Sequence, residues 1–390
     1  MEKRMNKKRR VLGITGIRSE YFLQRPIFQA FMAHPGLEFE LVVTGAHLAP
    51  FHNYTVRAVE ADGMPIVARI ENLLNSDRLG GRLKSAAIQL QILAHVVEER
   101  RPDWLFVPCD REEALTLAMC GTYLNLPMAH YAAGDSSVGN VDDTVRPAVA
   151  RLCHLLLATH QESCERLLRS GEEPWRVTNV GASGLDRFRQ TPTLSREELA
   201  RELGVPSVDE RYLVVVQHPL STVLDKSREH MQATMTAAAE LGLQTFVSYP
   251  NSDAGSMEMI SVIEAHRKSG RVHVFKNVPD LAFVNLLRGA TALLGNSSLG
   301  VVEAPFLKLP VVNVGSRQTG RHSTSNVFFV EPEAAAIVRQ VNLIQHDPAT
   351  LEKIAKCGNP FGDGRTGERV AELLATAPTD ERLLTKRWTY

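Results

Sequence analysis

Short apolar runs, rich in valine and leucine and without polar alternation, recur along the chain, separated by longer stretches of helical periodicity. A first series comprises RVLGIT (10–15), FELVVTG (39–45), DWLFVPC (103–109), PMAHYAA (127–133), HLLLATH (154–160) and RVTNVG (176–181). A second comprises YLVVVQH (212–218), QTFVSYP (244–250), RVHVF (271–275), ALLG (292–295), PVVNVG (310–315) and NVFFV (326–330). A strand apolar throughout must be covered on both faces, which suits a parallel sheet with helices above and below. The intervening GGRLKSAAIQLQILAHVVEERR has apolar residues three and four apart and reads as an amphipathic helix. Sustained alternation of this kind predicts an α/β protein of open parallel sheets.

A chain of 390 residues exceeds the size of a single core and is expected to form two domains. The polar stretch RQTPTLSREELARELGVPSVDER (189–211) separates the two series, and Ser195 ahead of Glu198 predicts a capping box opening a short helix there. We therefore expect a basic tail (1–9), a Rossmann-like domain over 10–207 and a second over 208–368, facing each other across a cleft. In such sheets ligands sit outside the carboxyl ends of the strands.

Lys plus Arg and Asp plus Glu both number 44, and this zero balance argues against a general nucleic-acid or acidic-membrane binder. The basic start is followed by VLGIT, too short for a signal peptide, and no window approaches the roughly 18 apolar residues of a membrane span. Cys109, Cys120, Cys153, Cys164 and Cys357 show no metal-like spacing and read as reduced thiols of a cytoplasmic protein. No metal and no organic cofactor is called for.

The unusual motifs fall at strand ends. GNSSLGVVEAP (295–305) ends a strand in a small, hydroxyl-rich turn where Ser297 and Ser298 offer donors to an anion, a plain helix N-cap being the alternative. Glu303 suits ribose hydroxyls, and Arg317 and Arg321 in SRQTGR offer planar forks for phosphate oxygens. His218 closes VVVQH before Pro219, where a structural hydrogen-bonding role is the alternative to catalysis, and Asn251 lies in YPNSDAGS, where a turn-forming role is the alternative. Arg18 in TGIRSEY can reach a phosphate; no GxGxxG occurs, so NAD is not supported. Asp110 follows a buried strand, and AHYAAGDSSVGNVDDTVRP gathers His130, a candidate for binding the substrate, with the carboxylates Asp135, Asp142 and Asp143, candidates for acid–base work or, for Asp135 and Asp142, turn and cap residues.

Taken in order, TGIRSEY, CDREEA, AHYAAGDSSVGNVDDTVR, YPNSDAGS, GNSSLGVVEAP, VNVGSRQTGR and NPFGDG resemble the UDP-N-acetylglucosamine 2-epimerase family over nearly the whole chain. The nearer likeness is to the hydrolysing branch that begins sialic-acid-type biosynthesis. The resemblance implies a glycosyltransferase-B-type pair of Rossmann-like domains, a helix in 369–390 returning to the first domain, and a homodimer or homotetramer. It implies that Ser297, Ser298, Arg317 and Arg18 hold the UDP diphosphate, that Glu303 takes the ribose, and that Phe275 lies near uracil. His218 and the arginines would assist loss of UDP, while Asp110, Asp142 and Asp135 would serve as acid–base groups around the sugar. UDP-N-acetylglucosamine or a modified analogue, such as a diacetamido-trideoxyhexose of the legionaminic-acid route, would be epimerised at C2. Three departures fall on the sugar side: Cys109 stands where the family commonly has Gly, Ala132 where some members have a carboxylate, and Arg146-Pro147 where an Arg-His pair is usual. They leave open a UDP-sugar hydrolase or eliminase, a non-hydrolysing epimerase, or a UDP-sugar-binding protein that has lost catalysis.

Overall fold

The computed structural model describes residues 8–74, 79–136, 141–220, 225–250, 255–267, 270–276, 278–387 and 389. The chain divides into two compact units, Met1–Arg187 with Gly362–Tyr390, and Phe188–Phe361. In the first, β1 (Arg9–Thr15), β2 (Leu37–Thr44), β3 (Ile66–Ile70), β4 (Trp104–Val107), β5 (Met128–Tyr131), β6 (Leu155–Ala158) and β7 (Val177–Asn179) form a parallel sheet ordered β3-β2-β1-β4-β5-β6-β7. Every residue of β4, β5 and β6 is buried, as unbroken apolar runs require. One face is covered by Tyr21, Phe28 and Phe31 of the helix Arg18–Ala33, with Phe28 stacked on Phe39 at 4.9 Å. The other is covered by Leu93 and Val97 of the helix Leu79–Arg100 and Leu117 of the helix Glu112–Tyr123.

In the second unit β8 (Tyr212–Val216), β9 (Gln244–Ser248), β10 (Val272–Phe275), β11 (Ala292–Gly295), β12 (Val311–Val314) and β13 (Val327–Val330) form a parallel sheet ordered β10-β9-β8-β11-β12-β13. In each sheet the strand order reverses once, at β1/β4 and at β8/β11. The crevice outside the carboxyl ends at such a reversal is where open α/β sheets bind ligands.

Three boundaries differ from those expected. The 189–211 stretch belongs to the second unit. Its helix, Arg196–Leu203, has the Ser195–Glu198 capping box, and Leu199 and Leu203 pack with Phe188, Tyr212 and Leu286. Asn285 and Arg288 accept this stretch by donating to the carbonyls of Pro192 and Thr191. The chain re-enters the first unit at Gly362 rather than 369; the helix Thr366–Thr376 buries Val370 and Leu374 in the aromatic core, and Arg9 donates to Leu374 O at 3.0 Å. Arg9 is itself the first residue of β1 rather than tail. β3, with Arg69 exposed in a half-buried edge position, lacks the unbroken apolar signature of its neighbours. Among the described residues no helix is long and apolar enough to cross a membrane, and no cluster of His, Cys, Asp and Glu could hold a metal.

Candidate active site

At the reversal of the second sheet, β11 ends in Gly295 with φ 127°, where a Cβ would stand 2.2 Å from the Val216 carbonyl oxygen of β8. Only glycine lets the chain leave the sheet this way. The next residue, Asn296, is buried and stitches the two strand ends together: its Oδ1 accepts from the His218 backbone N–H at 2.8 Å and its Nδ2 donates to the His218 carbonyl at 2.9 Å. The Asn296 carbonyl accepts in turn from Arg317 Nη1 at 3.1 Å and Gln318 Nε2 at 2.9 Å. The turns after β8, β11 and β12 are thereby tied to one residue. Ser297, half-buried, and Ser298, exposed, follow it, and Glu303 is buried one short helix, Leu299–Val302, further on. Arg321 is exposed four residues beyond Arg317. Phe275 closes β10, three strands from β11, with its ring stacked on Phe246 at 6.4 Å. Asn251 lies outside the described residues.

In the first unit Asp110 follows β4 and receives Arg146 Nη2, from the helix Asp142–Leu152, on its Oδ2. The Arg146 side chain is 7% exposed and that of Asp110 16%, so the pair is largely withdrawn from water. His130, on β5, is fully buried and donates Nε2–H to the Cys109 carbonyl at 2.7 Å. That bond fixes the tautomer, leaving Nδ1 as the lone-pair nitrogen, and burial pushes the ring's pKa down to about 4, so it is neutral at pH 7. Cys109 has φ 27°, an uncommon conformation for a side-chain-bearing residue, and its thiol is pushed up by burial and by the nearby charge of Glu20, from the helix Arg18–Ala33.

Asp135 is engaged by its own neighbours. Its Oδ1 accepts from Thr159 Oγ1 at 2.7 Å and Ser163 Oγ at 2.6 Å, with His160 Nδ1 at 3.7 Å. Burial raises its pKa, opposed by those hydroxyl donors and by the charges of His160 and Arg166. Asp142 opens its helix, but its side chain lies outside the described residues; Asp143 accepts from Ser136 at 3.0 Å. Arg18 is exposed, its guanidinium 5.4 Å over the Phe22 ring. At the turn before the helix that Arg18 begins, the buried Glu113 carboxylate occupies the space a side chain at Gly16 would need, 1.7 Å from where its Cβ would be.

The structure thus brings together Asp110, His130 and the Cys109 loop in one unit, and His218, Ser297 and Arg317 in the other. Sequence reading gave no role to Asn296, although it stands inside the motif singled out, and noted Arg146 only as half of an altered dipeptide. A polar residue buried at a strand end between Gly and Ser was the available signal for the first; nothing local marked the second.

Residues 29–375 match the family model of UDP-N-acetylglucosamine 2-epimerase. The chain belongs to that family. Among its relatives is a UDP-N,N'-diacetylbacillosamine 2-epimerase (hydrolyzing) of Legionella pneumophila, 32% identical over 97% of this chain and 98% of the relative. A GDP/UDP-N,N'-diacetylbacillosamine 2-epimerase (hydrolyzing) of Campylobacter jejuni is 27% identical over 82% and 84%. These relatives align the protein with the hydrolysing enzymes of the family. The solved UDP-GlcNAc 2-epimerase of Neisseria meningitidis, bound to UDP-GlcNAc, superposes with a TM-score of 0.77 at 17% identity, covering 94% of this chain and 99% of that one. At that identity the likeness is one of fold, and it bears out the pair of parallel α/β sheets.

Proposed function

We propose that the protein is a hydrolysing 2-epimerase of a UDP-linked 2-acetamido hexose, with the nucleotide held by the second unit and the sugar handled by the first. The observation that carries this reading is the Asn296 clasp, which fixes His218, the Ser297–Ser298 turn and the Arg317 guanidinium around one point at the strand-order reversal. A fixed set of donors there suits a diphosphate and stabilises the charge that grows on it as it leaves. Glu303 would accept from the ribose, and Arg18 and Arg321 would add charge to the phosphates.

In the reaction proposed, a carboxylate removes the C2 proton and the electron pair forms the C1–C2 double bond as the C1–O bond to UDP breaks. Water then adds across that double bond, its hydroxyl to C1 and a proton to C2 from the opposite face, giving the free 2-epimer. Asp110, oriented by Arg146, and Asp142 are the groups we assign to proton transfer, with Asp135 as a further candidate. Two relatives named for diacetylbacillosamine support a diacetamido-trideoxyhexose as the first sugar to try beside N-acetylglucosamine, in nonulosonic-acid-type biosynthesis. The test is proton NMR in deuterium oxide with each UDP-sugar. Free 2-epimer carrying deuterium at C2, together with UDP, is expected from one of them. A product that stays nucleotide-linked would refute the hydrolytic course, and tight UDP binding with no turnover of either sugar would favour a binding protein.

A further inference from the structure

The helix Asp142–Leu152, which carries Asp142 and Arg146, is held at its far end by a residue more than two hundred positions away. Lys386 Nζ donates to the carbonyls of Ala150 at 2.8 Å and Arg151 at 3.1 Å, and pairs with Glu172 Oε2 at 2.8 Å. These carbonyls lie in the last turn, where a helix has no donors of its own to offer. The segment bearing Lys386 is itself clamped. Arg176, wholly buried, donates to Leu383 O at 2.7 Å, Thr385 O at 2.9 Å and Arg382 O at 3.1 Å, and to His154 O, just beyond the helix, at 3.3 Å. Arg176 and Arg382 both lie over the Trp175 ring, at 4.1 and 4.7 Å.

Why such a helix needs an outside hold is written in its sequence. Pro147 sits in its middle and has no N–H to give the carbonyl of Asp143, so the link between its two halves is weakened. The first half is seated by Arg146 on Asp110, and the second by Lys386.

We propose that residues 380–387 form a strap that positions the helix Asp142–Leu152, with Lys386 as the positioning residue that keeps Arg146 seated on Asp110. The functional half of this statement rests on the reading of Asp110 as an acid–base group. Lys386 touches no reacting atom; it acts through the helix. Its replacement leaves no buried carboxylate alone, because Arg151 stays 2.6 Å from Glu172, and Arg176 still holds the strap's carbonyls. The variant therefore reports on the helix rather than on global folding.

The experiment compares full-length wild type, Lys386→Met and Lys386→Arg by amide hydrogen exchange over 142–152, steady-state kinetics and UDP calorimetry. In Lys386→Met we expect faster exchange along the helix and kcat lower by roughly 10- to 100-fold, the scale of a 1 Å misplacement. KM and the UDP Kd should stay unchanged, and Lys386→Arg should restore both readouts. Unaltered exchange overturns the strap, and faster exchange with unaltered kcat overturns its role in seating the pair. Loss of UDP binding alongside kcat shows a general structural defect and also overturns the proposal. If the wild type turns over no sugar, the reading of Asp110 falls, while the exchange data still decide whether Lys386 holds the helix.

Discussion

Replacing Arg146 with methionine takes the guanidinium from Asp110 while keeping much of the stem's volume. With the two side chains 7% and 16% exposed, water does not fully take over the lost donors. Removing one partner of a buried pair costs about 3–5 kcal/mol, and the residual exposure of Asp110 puts the expectation at the lower end, about 3 kcal/mol. For a unit of roughly 200 residues, where 1 kcal/mol moves the midpoint by about 2–4 °C, melting of the first unit should fall by roughly 6–12 °C. Adding Asp110→Asn removes the orphaned charge, so the double variant should recover a good part of that loss. Scanning calorimetry of wild type, both single variants and the double variant gives the coupling energy directly. UDP calorimetry serves as the control, since all the residues proposed for the nucleotide except Arg18 belong to the other unit. A coupling below about 0.5 kcal/mol would place the pair in the class of surface ion pairs. The argument that Arg146 holds Asp110 in a desolvated position would then be wrong.

Three further outcomes are expected. His47, His130 and His154 are each held near a pKa of about 4, chiefly by burial, below the roughly 6.5 of the unfolded chain. The unfolded state therefore binds the extra protons between these values, so stability is complete above pH 6.5 and is lost as pH falls toward 4. That loss is about 2 kcal/mol per histidine at pH 5, and urea midpoints that do not move between pH 7.5 and 5 would contradict it. Ala132, with φ 59°, occupies the left-handed region, so Ala132→Gly should stabilise by about 1 kcal/mol, and a lower melting midpoint would mean that the methyl packs better than its backbone suffers. Arg317→Ala should weaken UDP binding by roughly 10- to 100-fold, the range of a charged hydrogen bond, with an unchanged Kd removing Arg317 from the nucleotide site.

What could be read from the amino-acid order was whatever depends on near neighbours. The runs over 103–109, 127–133 and 154–160 declared β4, β5 and β6 because burial on both faces leaves no room for polar alternation. The strand-end turn at Gly295–Ser298 was legible as a turn for the same reason, but the role of Asn296 within it was not, because its partners His218, Arg317 and Gln318 are distant in the chain. The 189–211 stretch looked like a linker because it is polar, yet its carbonyls are taken by Asn285 and Arg288, about a hundred positions on. Arg146 on Asp110 and Lys386 on Ala150 are contacts across the fold, invisible until the order of strands in the sheet is known.

The first unit is interrupted: its helix Thr366–Thr376 and the residues clamped by Arg176 are made only after the whole of Phe188–Phe361. At a ribosomal rate of roughly 5–20 residues per second this imposes a wait on the order of 10–35 s. During it, the surface of the Arg18–Ala33 helix that Val370 and Leu374 will cover stays open, and the Arg176 guanidinium has none of its later carbonyl partners. The uninterrupted second unit has everything it needs first. On a nascent chain, then, the second unit is complete ahead of the unit that begins the polypeptide, and it is the earlier-made residues that wait longest for their partners.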